Sequence, residues 1–224
     1  MWRYRVECIL GVIFLVLFIG VCYWASGPSK KLTHKDVDAY IARIQQGLPM
    51  PEPEKGELLA RFRAWGEADD GRSFYMVNLL SFKNPIEPWP GVEIKTTTAE
   101  ETYQFYVNAV GPMALRVGIW PSIRMKAQGT GSGKSNVQGL ASENDGWNLV
   151  AVNRYPSRRA ALEMFSSPDY MRVMAYKEAA ARLIVLPVSG GIVLPDVRIA
   201  VGVMFMLVFL LVGWIRSATT QRAD

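Results

Sequence analysis

The sequence is poor in the residues that most often supply nucleophilic, redox and metal chemistry. Its 224 residues include two cysteines and a single histidine. Both thiols, Cys8 and Cys22, fall in one long apolar segment, so the rest of the chain has no cysteine for a disulfide. His34 stands at the start of a predicted helix, where a solvated position is expected, and no second histidine completes a zinc site. No metal site and no cofactor are therefore expected.

The chain also lacks a proper phosphate-binding loop, although the segment GTGSGKS at 129–135 resembles one. Such a loop has the spacing Gly-x-x-x-x-Gly-Lys-Ser/Thr and opens a helix whose N–H groups hold the phosphates. Gln128 stands where this spacing requires the first glycine, and the residues after Ser135 show no apolar stripe at helical spacing. The segment is predicted to be a loop between two strands, and no nucleotide is expected as a partner.

Charge of one sign is not concentrated anywhere in the chain. The formal net charge is +5, and basic and acidic side chains are interspersed without a basic run. Proteins that bind nucleic acid gather lysine and arginine in a tract or on one face. Nucleic acid is therefore not expected as a partner.

Hydrophobic residues make up 50% of the chain, which is high for a soluble protein, and many of them lie in two long segments. Residues 8–24 and 199–215 contain no charged side chain, and at about 1.5 Å per residue each covers roughly 25 Å, close to the ~30 Å hydrocarbon core of a bilayer. Tryptophan and tyrosine lie at both ends of the first segment and Trp214 at the end of the second, as they do at membrane interfaces. The sequence predicts an N-terminal transmembrane anchor over 1–25, a C-terminal transmembrane helix over 197–216 and a polar tail over 217–224.

The first apolar segment has an alternative interpretation as a cleaved secretion signal, because arginines precede it and small residues follow it. We favour an uncleaved anchor, so that the lipid bilayer is a partner and the chain is a two-pass protein of the inner cell membrane. Arginine in the two short tails predicts cytoplasmic termini and a domain outside, since the positive-inside rule acts mainly on short segments. The basic residues at the ends of the domain argue for the opposite orientation: Lys30, Lys31, Lys35 and Arg198.

Residues 26–52 are predicted to form a juxtamembrane helix and a proline-rich linker. Thr33 and Asp36 have the spacing of a capping box, which marks a helix start. Apolar residues then recur at helical spacing from Val37 onward. The segment PMPEPE that follows predicts a stiff, extended connection.

The segment 53–196 is predicted to fold as a single α+β domain. After a first helix, FYMVNLLSF predicts a central strand, TAEETYQFYVNAV a helix, and SIRMKAQ and WNLVAVNRY two further strands. A helical region interrupted at Ser167-Pro168 and a last strand, LIVLPVSGGIVLP, complete it. The order β-α-β-β-α-β is that of the ferredoxin-like, or split β-α-β, fold, in which helices cover one face of an antiparallel sheet.

These segments also carry a family resemblance. FYMVNLLSFK, followed by YPSRRAALEMFSSPDY, KEAA and a terminal strand, resembles an uncharacterised small-protein family of the dimeric α/β-barrel superfamily, related to antibiotic-biosynthesis monooxygenases. The resemblance covers about residues 53–188 and implies a homodimer whose two sheets meet face to face, with a pocket between each sheet and its helices. Relatives often have a His-Arg pair where this chain has Tyr176 and Lys177, so a histidine-dependent role is not carried over.

No catalytic residue is identified from the sequence, but a polar and aromatic set is predicted to line a ligand pocket. Its members are Asn78, Tyr103, Tyr106, Trp147, Arg154, Tyr170 and Tyr176. Tyr155 adjoins this set, and Arg154 and Lys177 would offer positive charge to an anionic ligand. The alternatives are that the aromatic residues belong to the core, that Asn78 bonds neighbouring backbone and that Arg154 faces solvent.

Two functions are compatible with these features, and we favour the first. The first is a non-catalytic, membrane-anchored dimer or an accessory subunit of a larger membrane complex. The second is a cofactor-free monooxygenase-like enzyme, or a binder of a small lipophilic molecule. A space between sheet and helices that is filled by side chains favours the first, whereas an open cavity faced by the polar set favours the second.

Overall fold

The computed structural model describes residues 5–27, 30–130, 133–138, 145–190 and 196–221. Within these ranges the protein has seven helices and a four-stranded antiparallel sheet, a mixed α+β arrangement. The chain divides into two compact units. One is Gly27–Gly191, and the other combines Met1–Ser26 with Ile192–Asp224.

The smaller unit contains helices α1 (Arg5–Ser26) and α7 (Val197–Gln221). Both are long and apolar enough to cross a membrane, which confirms the two predicted hydrophobic helices by length and composition. Their side chains are largely exposed in the isolated chain, unlike those of a core helix of a soluble protein.

The two apolar helices pack against each other in an antiparallel sense. The rings of Phe14 and Phe205 stack with centroids 4.9 Å apart and planes 6° from parallel. Phe18 packs against Gly202, where an added Cβ would lie 3.1 Å from the ring. At the other end, Arg216 Nε lies 3.0 Å from Glu7 Oε1, so the start of α1 lies beside the end of α7.

The larger unit begins with helices α2 (His34–Gly47) and α3 (Glu54–Glu67). The predicted capping box is confirmed: the Asp36 backbone N–H donates to Thr33 Oγ1, and the Thr33 backbone N–H donates to Asp36 Oδ2. Helix α2 buries its apolar stripe inside this unit: Val37, Tyr40, Ile41 and Ile44.

Seven further elements follow α3. They are β1 Phe74–Phe82, α4 Ala99–Arg116, β2 Trp120–Lys126, β3 Leu149–Tyr155, α5 Arg158–Phe165, α6 Pro168–Ala180 and β4 Ala181–Val188. The strands lie in the order β2-β3-β1-β4, and every neighbouring pair is antiparallel. Strand β1 therefore has a neighbour on both sides, as its dense apolar sequence predicts.

Alternation along the strands gives the sheet two different faces. On one face, Phe74 stacks on Tyr155 at 5.0 Å and meets Trp65 of α3 edge-on at 5.3 Å. At the far end of β1, Phe82 lies 5.9 Å from Tyr103 of α4. Helices therefore cover this face. The opposite face carries a row of apolar side chains from β1, β3 and β4: Val77, Leu79, Val150, Val152, Ile184 and Leu186.

The connection between β2 and β3 contains the glycine-rich segment. Its described residues, 127–130, 133–138 and 145–148, form no helix. Asp145 Oδ1 instead accepts hydrogen bonds from the backbone N–H groups of Ser135 at 2.8 Å, Asn136 at 2.9 Å and Gly146 at 2.7 Å. The described part of the segment is a loop held by one carboxylate, without the helix start that a nucleotide site requires.

Candidate functional site

A cavity of about 530 Å³ lies between the sheet and helices α4, α5 and α6. Its walls come from all four strands and these three helices, so it is built by the tertiary fold of the larger unit. Four of the seven residues predicted to bind a ligand line it: Asn78, Tyr103, Tyr106 and Tyr170. The space between sheet and helices is therefore open, and part of the predicted polar set faces it.

Asn78 presents a fixed amide at the floor of the cavity. Its Nδ2 donates to the backbone oxygens of Met76 at 3.1 Å and of Ala151 at 3.4 Å. Because both partners are carbonyls, the amide nitrogen must lie on their side, which leaves Oδ1 as the atom available to a ligand. Asn78 thus bonds neighbouring backbone, as one alternative predicted, and still offers an acceptor to the cavity.

Four tyrosines line the cavity and are all nearly buried: Tyr103, Tyr106, Tyr155 and Tyr170. Burial raises the pKa of each of these four phenols above its ordinary value. All four are therefore neutral at physiological pH and act as hydrogen-bond donors as well as acceptors.

Two cations line the cavity. Lys177 of α6 has a side chain that is 12% exposed, and its Nζ lies 5.8 Å from the centre of the Tyr106 ring. Burial lowers the pKa of Lys177, whereas the interactions with Tyr106 and Glu178 raise it, and the net direction is a raised pKa. Arg124 lies at the exposed edge, with its guanidinium 5.6 Å from the centre of the Tyr103 ring.

The rest of the cavity is apolar and follows helix α4. Beyond Tyr106, the lining residues of this helix are Val107, Val110, Gly111, Ala114 and Leu115. From Tyr103 to Ala114 the helix rises roughly 16 Å, at about 1.5 Å per residue. We call the end beside Lys177, Tyr103 and Tyr106 the polar end and the stretch along the rest of α4 the apolar end. The described lining of the cavity contains no carboxylate, imidazole or thiol.

Arg154 and Trp147 do not line this cavity. Arg154 is adjacent to Tyr155 on β3, and strand alternation places neighbouring side chains on opposite faces, so only Tyr155 points toward the helices. Arg154 is 5% exposed, and the expectation that it faces solvent is wrong. Trp147 precedes the start of β3, and the Arg182 guanidinium lies 5.0 Å from the centre of its ring.

Tyr176 also lies outside the cavity, for a reason of helix geometry. Residues seven apart are close to two full turns, so Lys177 shares a face of α6 with Tyr170, whereas Tyr176 is rotated by about 100°. The Tyr176 ring instead contacts Phe105 of α4, with centroids 4.4 Å apart. The residue that the helix brings to the cavity is therefore Lys177.

Asn153 and Arg124 line the cavity but were not predicted. Asn153 lies two residues before Tyr155 on β3, so the alternation that places Tyr155 places Asn153 on the same face. Arg124 pairs with Ala151, which also lines the cavity. The alternation of side chains along β3 could therefore have identified Asn153 from the sequence. The position of Arg124 depends on a register shift between Pro121 and Ile123 that the sequence does not show.

A second cavity of about 480 Å³ adjoins the first one. Helices α2, α3 and α6 and strand β4 line it, and it shares Met76, Phe165, Tyr170, Lys177 and Val185 with the first. Its own charged lining residues are Arg61 and Glu178. No group of three or more histidine, cysteine, aspartate or glutamate residues in the described ranges is arranged to hold a metal ion.

Comparison with known proteins gives a structural likeness without a function. No protein-family model matches the chain, and no curated protein matches it. A crystal structure of the RPA0582 protein of unknown function from Rhodopseudomonas palustris is 24% identical, with a TM-score of 0.49, over 65% of this chain and 98% of that one. A structure of methylated RPA0582 protein is 28% identical, with a TM-score of 0.47, over 64% and 97% of the two chains.

Proposed function

We propose that this chain is a two-pass membrane protein whose α+β domain binds a small, mostly apolar molecule in the cavity between sheet and helices. The observation that supports this proposal is the open cavity of about 530 Å³ that Asn78 and four buried tyrosines face. Ligand sites are typically concave and apolar, with a few convergent polar groups. Whether the bound molecule is only held or also transformed is a further question for the same site.

Several features of the cavity agree with a ligand rather than with a packing defect. Protein interiors are close-packed, and a void of this size is costly unless something fills it. Gly111 of α4 lines the cavity, and a Cβ added there would meet no atom within 4 Å. A glycine inside a helix lowers its stability by about 1 kcal/mol relative to alanine. A glycine that costs stability at this position keeps the apolar end of the cavity open.

The substitution Gly111→Leu tests the proposal directly. It should fill the apolar end, abolish retention of a neutral probe and raise the Tm, because leucine stabilises the helix by about 0.8 kcal/mol relative to glycine. The full chain is purified in mild detergent and transferred to native mass spectrometry with decanamide, which has an apolar chain and a neutral polar head. Wild-type protein should retain decanamide, and Gly111→Leu should not.

The matched control is Asn108→Leu, which places the same side chain on the exposed side of α4. This variant should retain decanamide as wild type does. If wild-type protein retains no decanamide, or if Gly111→Leu retains as much as Asn108→Leu, the cavity is not a binding site for such molecules.

We also propose that the domain has the ferredoxin-like topology and forms a homodimer through the sheet face opposite the helices. The strand order β2-β3-β1-β4 with helices on one face supports the topology. The exposed part of the opposite face is apolar, with Ile184 39%, Leu186 53% and Val188 36% exposed. A contiguous apolar patch of this kind is typical of an interaction surface. The alternative is that the same face binds another subunit of a larger membrane complex.

The dimer is tested by Leu186→Glu, since a charge buried between two facing sheets costs far more than one in water. The mass of the full chain in detergent, measured by light scattering after size exclusion, should change from dimer to monomer. Val137→Glu is the control, because Val137 is 95% exposed in a loop. A wild-type monomer, or a Leu186→Glu dimer, would contradict the proposed pairing.

A further inference from the structure

Lys177 is a nearly buried cation whose hydrogen-bond donors are not used by the described part of the chain. Its Nζ lies 3.9 Å from Glu178 Oε1, which is beyond hydrogen-bond distance, and 5.8 Å from the centre of the Tyr106 ring. Among the described residues it donates no hydrogen bond. An ammonium carries three N–H donors, and burying them without acceptors is unfavourable. Water or a ligand must therefore supply the acceptors.

The charges around the cavity determine the sign of that ligand. Lys177 and Arg124 are cations in its lining, and no aspartate or glutamate belongs to that lining. Glu178, the nearest carboxylate to Lys177, lines the neighbouring cavity instead. Fixed charges act more strongly between low-dielectric walls than in water. Lys177 lies between this cavity and Glu178, and on the side of this cavity the described lining offers an anion two cations and no carboxylate.

The tyrosines beside Lys177 supply neutral donors to the same place. Tyr106 and Tyr170 both line this cavity, and each neutral phenol carries one O–H that can be donated to an acceptor there. Phenol donors and an ammonium together match the two oxygens of a carboxylate. The apolar remainder of the cavity, along α4 from Val107 to Leu115, matches a hydrocarbon chain.

We propose that the polar end of the cavity is an anion subsite, in which Lys177 binds the carboxylate of an amphipathic carboxylic acid whose apolar chain lies along α4. This inference rests on the proposed function and adds the chemical class of the ligand. Tyr106 and Tyr170 donate to the same carboxylate, and the Asn78 amide oxygen accepts from any hydroxyl or amide that the ligand carries beside it.

The test compares three probes of equal chain length and different charge. The full chain in mild detergent is examined by native mass spectrometry with decanoic acid, decanamide and decylamine. Wild-type protein should retain decanoate at least about tenfold more tightly than decanamide, as expected for a charge-assisted contact in a buried site. Decylamine should be retained least.

Three variants assign the preference to Lys177. Lys177→Met keeps an unbranched side chain without the charge, and it should bind decanoate no better than decanamide while still retaining the amide. Lys177→Arg should restore the preference for the acid. Lys126→Met, which removes an exposed charge from β2, should behave as wild type. If Lys177→Met does not fold, as judged by circular dichroism, Lys177→Gln replaces it with the same expectation.

The possible failures are distinguishable. If wild-type protein retains decanamide and loses it in Gly111→Leu, but shows no preference for decanoate, the proposed binding function stands and the anion subsite is wrong. If the preference for decanoate persists in Lys177→Met and in Lys177→Gln, the carboxylate binds elsewhere and the role of Lys177 is wrong. If none of the three probes is retained, the proposed function fails and the inference fails with it.

Discussion

At the scale of a single side chain, the sheet holds the amide nitrogen of Asn78 by hydrogen bonds, whereas the amide oxygen is available to a ligand. Its nitrogen is held by two backbone carbonyls, so rotating the amide would bring two acceptors into contact with Oδ1. The acceptor is therefore held in one orientation without the help of a ligand. A preorganised acceptor of this kind selects ligands that carry a donor near their polar end.

Asn78→Leu is expected to weaken the retention of decanamide about fivefold, because one hydrogen bond contributes about 1 kcal/mol. Leucine has a similar size, so the Tm should stay close to that of wild type. Methyl nonanoate is the matched probe, since it has no N–H or O–H to donate and its retention should not depend on Asn78. Equal losses for both probes would show that Asn78 acts only through the shape of the cavity.

Asp36 provides a prediction about pH. Its Oδ2 accepts hydrogen bonds from Arg159 Nη2 at 2.8 Å, from the Thr33 N–H at 2.9 Å and from Thr33 Oγ1 at 2.8 Å. The hydrogen bond from Arg159, followed by those from Thr33, holds the pKa of Asp36 well below its usual value near 4. A depressed pKa means that the contribution to stability is complete above pH ~4 and is lost as the pH falls below it.

Asp36→Asn should therefore lower the Tm at pH 7, and the difference from wild type should shrink as the pH is lowered below about 4. Thermal unfolding of the full chain, followed by circular dichroism between pH 7 and pH 3, measures it. Glu163→Gln is the control, since Glu163 is exposed and forms no ion pair with the described residues. A difference that stays constant across this range would contradict the linkage.

Residue patterns predicted some of the site and missed some of it, for reasons that particular side chains show. Tyr103 and Tyr106 were found because both lie on the inner stripe of an amphipathic helix. Arg154 and Tyr176 were misplaced because each lies next to a residue that does face the cavity, Tyr155 and Lys177 respectively. Composition was enough to identify the segments that line the cavity. The periodicity of a strand or helix then determines which of two neighbouring residues faces the cavity.

At the scale of an element, the helix starts were the most predictable features. Both Thr33 with Asp36 and Thr98 with Glu101 form the capping boxes that the sequence indicates. A capping box involves only four consecutive residues, so the sequence alone is enough to predict it. The packing of α2 into the larger unit is different, because it depends on Arg159 of α5, which donates to the backbone oxygens of Lys30 and Lys31. No local pattern reveals that contact.

The pairing of α1 and α7 gives a prediction at this scale. Phe18 packs against Gly202, so Gly202→Leu should force the helices apart, since the ring lies 3.1 Å from where a Cβ would be. Helices in a membrane associate through small residues that permit close approach. Gly213→Leu is the control on the same helix, because a Cβ at Gly213 meets no atom within 4 Å.

The measurement uses Glu7→Cys together with Arg216→Cys, in a chain whose native cysteines are replaced by serine. These positions lie in contact in the wild-type pair, so a short bifunctional maleimide should join them. Gly202→Leu should reduce the joined fraction, and Gly213→Leu should leave it unchanged. The same yield in both variants would show that the Phe18 contact does not hold the helices together.

At the scale of the whole molecule, the sheet has one function for each face in our proposal. The face under the helices encloses the cavity, and the opposite face carries the apolar row through which we propose that two copies pair. Periodic sequence predicts a two-faced sheet, but not the volume that remains between layers. That volume depends on the sum of many side-chain sizes and on Gly111, and it becomes visible only in three dimensions.

The orientation of the molecule in the membrane is the last prediction. The contact between Glu7 and Arg216 brings the start of α1 and the end of α7 together, so both termini lie on one side of the bilayer if both helices span it. Arginines flank both helices on the side of Glu7 and Arg216, so we expect this side to be cytoplasmic and the domain to lie outside. Lys126→Cys, at an exposed position of β2, reports the domain in a chain whose native cysteines are replaced by serine. A membrane-impermeant maleimide should label Lys126→Cys in intact spheroplasts, and should label Asp224→Cys only after the membrane is permeabilised. The reverse pattern would place the domain in the cytoplasm, and the ligand would then be drawn from the cytoplasmic side.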